Sequence, residues 1–72
     1  MNVETYLADV DARLAALPSK WERLSYLDSL RGQLRRMERR AALEAIKDSN
    51  APIPDPFTFA ILDGELQMRA EI

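Results

Sequence analysis

From Leu30 to Arg40 the chain reads LRGQLRRMERR, five arginines in eleven positions. A guanidinium is planar, permanently charged and able to donate to two oxygens at once, so such a cluster suits phosphate or carboxylate. Arg31, Arg35, Arg36, Arg39 and Arg40 are therefore candidate partner-binding residues, with Gly32 and Tyr26 beside them. Three kinds of occupant compete for these arginines: water, the phosphates of a nucleic acid, and acidic groups of protein. The last could belong to the chain's own ends or to another chain.

Charge distribution separates these readings. Residues 20–47 carry eight basic and four acidic side chains, a net of +4, while residues 1–19 sum to −2 and residues 48–72 to −4. The chain as a whole is acidic, with a pI of about 5.0, where a nucleic-acid-binding domain is usually basic. No glycine-containing turn leads into a short recognition helix, and no aromatic residue lies among the arginines to stack on bases. Nucleic acid is thus the least favoured reading; a solvated face is what a charge run most often is, and acidic protein comes next, made plausible by the chain's two acidic ends.

Other chemistry is limited by what is missing. There is no histidine and no cysteine, so the commonest general base and the most readily activated nucleophile are both lacking. The four serines have no glycine-flanked elbow, and Asp63-Gly64-Glu65 is no calcium loop. Gly32 and Gly64 are isolated, so there is no phosphate-cradling loop. The expectation is a protein that is not an enzyme, with no catalytic residues, no metal ligands and no cofactor.

The elements that carry the arginines can be read from periodicity. Val3, Leu7, Val10, Leu14 and Leu17 step by 4, 3, 4 and 3, the spacing of a helix that meets another helix, with Asn2 as its N-cap. Pro18 ends this helix at about residue 17, and Ser19 with Glu22 forms a capping-box signature for the next. So short a connection predicts an antiparallel helical hairpin, with Trp21 as its clasp. The second helix, about 20–48, would be roughly 43 Å long, about twice the first. Its seam is Leu27, Leu30, Leu34 and Met37, and the arginines occupy its polar arc. Gly32 costs about 1 kcal/mol in a helix interior, which suggests either a tolerant site or the close approach of another helix.

Residues 49–56 form a link with three prolines that prohibit helix, Ile53 filling an apolar gap between them. The tail, about 57–71, reads as a short helix with Asp55 as N-cap and Pro56 in its first turn. The competing reading is a β-hairpin turning at Asp63-Gly64. As a helix it has two apolar faces, one of Phe57, Ile61, Met68 and Ile72, the other of Phe59, Leu62, Leu66 and Ala70. A helix apolar on both sides needs cover on both sides, which predicts an elongated homodimer.

Residues 1–72 are thus expected to be one small all-α domain. Its core and dimer residues are Leu27, Leu30, Leu34, Met37, Phe57, Phe59, Ile61, Leu62, Leu66 and Met68. The acidic N-terminus resembles no signal peptide and no apolar run reaches the ~20 residues of a membrane span, so a cytoplasmic protein off the membrane is expected. The expected role is association with another protein, as a regulator, inhibitor or adaptor. The size would suit an inhibitor of a host regulator encoded by a phage or mobile element. The alternatives are a nucleic-acid-binding dimer using the Arg31–Arg40 face and a structural subunit of a larger assembly.

Overall fold

The computed structural model describes residues 2–48, 50 and 56–71, apart from the side chain of residue 56. These residues are all-α: α1 spans Val3–Ala16, α2 Lys20–Lys47 and α3 Pro56–Ala70. No strand occurs among them, so Pro56–Ala70 is helical through Asp63-Gly64 and the hairpin alternative for the tail is not adopted. Asp55, Ile53, Ile72 and most of the Pro-rich link lie outside the described residues.

The first two helices start where their capping chemistry dictates. The Asn2 side chain accepts a hydrogen bond from the Thr5 amide at 3.0 Å, and the Ser19 hydroxyl accepts one from the Glu22 amide at 3.1 Å. Between these helices the Leu17 carbonyl, left without an intrahelical partner, accepts from the Arg23 guanidinium at 3.0 Å. A side chain of α2 thereby helps to terminate α1. At the far end of α2 the Asp48 carboxylate accepts from the Asn50 amide at 2.9 Å, turning the chain out of the helix.

The core is small and is shared by all three helices. Val10 of α1, Leu27 and Leu34 of α2, and Leu62 and Leu66 of α3 are buried, with Val3, Tyr6, Leu7, Leu14, Tyr26, Leu30, Phe59 and Ala70 packed around them. Leu62 and Leu66, one helical turn apart, are both fully sequestered, at 0% exposure. They are the centre of the packing, and α3 makes most of its contact with α2. Burial also pushes the Tyr6 hydroxyl above its ordinary pKa, with neighbouring Tyr26 adding to the shift.

Two expectations need correction here. Trp21 is 82% exposed and clasps nothing. It sits on the side of α2 turned away from Leu27 and Leu34, where it borders a shallow groove with Leu17 and Tyr26. Met37 continues the spacing of Leu30 and Leu34 but is exposed, because the buried part of α2 ends at Leu34. The 14 residues of α1 and 15 of α3 are each about half the 28 of α2, so the last third of α2 has little to pack against.

Truncating Leu62 to Ala should destabilise the protein by about 2–5 kcal/mol, the cost of a cavity in a packed core. Chemical denaturation monitored by circular dichroism checks this, with Trp21→Ala expected to change stability by less than about 0.5 kcal/mol.

Candidate functional site: the arginine-rich end of the second helix

Arginines at one helical spacing meet two different environments. Arg31 points to α3, where its Nε donates to Asp63 Oδ1 at 2.9 Å and its Nη2 to Oδ2 at 3.4 Å. Gln67 Nε2 donates to the same carboxylate at 3.0 Å. This is a two-point fork between α2 and α3, partly shielded from water. The hydrogen bond from Arg31 holds the Asp63 carboxyl below its ordinary pKa against the opposing effect of burial, and the charge of Arg35 adds to the depression.

A second arginine, Arg69, ties α3 to α1. Its Nε and Nη2 donate to Asp11 at 2.7 and 3.1 Å, while Nη1 donates to the Glu65 carboxylate at 2.7 Å and to the Glu65 carbonyl at 3.1 Å. Hydrogen bonds from Arg69 lower the pKa of Asp11, and Asp11 followed by Glu65 raises that of Arg69. Sequence reasoning missed this clamp. The i,i+4 spacing of Glu65 and Arg69 was available as a signal, but the partnership with Asp11, 58 positions away, was not.

Beyond these ties the other four arginines of the cluster, Arg35, Arg36, Arg39 and Arg40, are exposed and make no ion pair among the described residues. Glu38 and Glu44, close to these arginines in sequence, form no ion pair among the described residues either. Toward the end of α2, Arg36, Arg39, Arg40 and Lys47 border a shallow surface together with Leu43 and Glu44. Leu43 and Ile46 are exposed there, Ile46 at 80%. The arrangement is an apolar contact framed by cations.

The other candidate residues are placed as follows. Tyr26 is half-buried against the core beside Tyr6, on the α1 side of α2. Gly32 is approached by no other helix: a Cβ built there would meet only Nη1 of Arg36, at 3.6 Å, an ordinary contact. Phe59 packs on the core with Leu62 and Leu66, whereas Phe57, Ile61 and Met68 face outward from α3.

For small-molecule chemistry the surface offers little. A cleft of about 300 Å³ opens where Leu14, Leu24, Leu27 and Ala70 meet, and two of its charged groups, Asp11 and Arg69, are bonded to each other. Among the described residues no three acidic, histidine or cysteine side chains converge on one point. No described helix is long and apolar enough to cross a membrane. Comparison of the chain with known protein families, with curated proteins and with solved structures finds no match.

Two outcomes follow from this geometry. A carboxyl whose pKa is lowered by folding stabilises the fold above its unfolded pKa and loses that contribution as pH falls through its folded value. Asp63 and Asp11 are both lowered, so stability should be retained at pH 6–7 and decline on acidification below about pH 4. Asp63→Asn should flatten that decline and cost up to about 1 kcal/mol at neutral pH, as denaturation across a pH series would show. Gly32→Ala, which creates no clash, should stabilise the protein by about 1 kcal/mol and raise Tm by about 4–8 °C in a thermal melt.

Proposed function

We propose that this chain is a small helical protein-binding module that acts by association, as a regulator, inhibitor or adaptor. The carrying observation is the division among its arginines. Arg31 and Arg69 are consumed in holding the helices together, while Arg35, Arg36, Arg39 and Arg40 stand exposed beyond the end of the core without an ion pair among the described residues. The surface fits an acidic partner that also brings an apolar side chain to Leu43 and Ile46. Apolar contact supplies binding energy, and the cations set encounter rate and orientation.

An antiparallel α1–α2 hairpin belongs to this reading. It is supported by the three-residue connection and by a groove in which Arg13 of α1 adjoins Trp21 and Ser25 of α2. Assembly of two copies also belongs to it, supported by the outward-facing Ile61 and Met68. The same free arginines favour a second reading, binding to nucleic-acid phosphates, although Leu43 and Ile46 among them are of no use to a phosphate backbone.

Affinity capture from the native host, compared between the natural chain and an Arg35→Glu/Arg39→Glu variant, tests the proposal. The natural chain is expected to retain a specific protein that the variant loses, with helix content unchanged by circular dichroism. Capture of the same protein by both would overturn the role of these arginines. Affinity for duplex DNA that falls steeply with salt, with no protein captured, would favour the second reading.

A further inference from the structure

Gly64 lies in the interior of α3, where glycine is among the least favourable residues. Nothing lies within 4 Å of a Cβ built on it, so close packing inside the subunit does not account for its presence. Its place on the helix is informative. Phe57, Ile61, Gly64 and Met68 are spaced by 4, 3 and 4, which aligns them along one side of α3. That side is turned away from the buried Leu62 and Leu66, and its three large members are exposed, Phe57 at 75%, Ile61 at 54% and Met68 at 58%.

We propose that this face of α3 binds the same face of a second copy, the two helices running antiparallel about a two-fold axis, with Ile61 of each seated over Gly64 of the other. The proposal deepens the two-copy assembly named above and rests on it. Two features select a second copy as the occupant, and a third sets how tightly it binds. The first is self-complementarity: the antiparallel register that sets Phe57 opposite Met68 also sets Ile61 opposite Gly64, so a large side chain meets the one gap in the row. A two-fold interface requires one surface to fit itself in this way. A parallel pairing would instead put Gly64 against Gly64 and leave a void, which close packing disfavours.

The second feature is electrostatic. The row from Phe57 to Met68 carries no charge. Glu65 beside it is already bonded to Arg69 and would lie level with Ala60 of the other copy, and Glu71, which continues the row one turn on, would lie at opposite ends of the pair in the two copies. Two copies of an acidic chain therefore meet here without opposing like charges. The third is area. A contact between two 15-residue helices falls short of the ~800 Å² per partner of a standard interface. It therefore implies a weak, concentration-dependent dimer, with each subunit folded on its own core.

Sedimentation equilibrium from about 1 µM to 1 mM, the range that weak association occupies, tests this. The natural chain should pass from monomer to dimer, and Ile61→Asp should remain monomeric throughout. Gly64→Leu is the sharper probe: it should raise helix content, since leucine is the better helix former, yet weaken the dimer at least tenfold by filling the gap. Leu43→Asp, on α2, should dimerise as the natural chain does. If the natural chain dimerises and Ile61→Asp and Gly64→Leu do so equally well, the two-copy reading survives and this face is wrong. A natural chain monomeric at every concentration would overturn both, leaving the arginine surface to be judged by its own test.

Discussion

A helix of 28 residues, here about 42 Å long, cannot be covered by neighbours of 14 and 15. Most of the molecule's character follows from that mismatch. The long dimension of 46 Å, against 20 and 17 Å across, is close to the length of α2. The three-helix core occupies the first part of that length and ends at Leu34. Past it, burial no longer supplies a reason for any side chain of α2 to be apolar, and residues 35–40 become arginine-rich. The protein is thus divided lengthwise into a packed body and an exposed basic end.

The body depends on α3. The five buried aliphatic side chains among the described residues are a slender core, and two of them, Leu62 and Leu66, belong to that helix. Its two charged ties leave in different directions, Asp63 to Arg31 of α2 and Arg69 to Asp11 of α1. Exposed ion pairs contribute little energy individually. These two fork-shaped pairs contribute geometry, fixing the rotation of α3 so that Leu62 and Leu66 point inward. The same rotation turns Ile61, Gly64 and Met68 outward, so internal order and the outer apolar row have one cause.

The first two helices were legible because their signals are local. Asn2 and Ser19 cap as their types and spacing imply, and the 4-3-4-3 step of α1 brings Val10 into the core with Val3, Leu7 and Leu14 around it. The tail was ambiguous because Asp63-Gly64 is a favoured turn and its apolar residues pair equally well across a hairpin. Its helix is settled by tertiary partners, since Leu62, Leu66 and Asp63 can meet α2 together only at helical spacing. Two local signals, the periodicity at Met37 and the short connection before Trp21, failed for a common reason. Spacing tells which side a residue faces but not whether another element reaches that far. Partnerships across the chain, Arg31 with Asp63 and Arg69 with Asp11, were legible only as a general attraction between a basic middle and acidic ends.

The division of α2 into a packed body and an exposed end is most directly tested by native-state hydrogen exchange of its backbone amides, at a concentration where the chain is monomeric. The account predicts strong, similar protection from Leu27 to Leu34 and across Leu62 to Leu66, because these amides open only when the core does. Protection should fall progressively beyond Glu38 and be lowest from Leu43 to Lys47. Uniform protection along α2 to Lys47 would contradict the account, since it would mean that the arginine-rich end shares fully in the stability of the core.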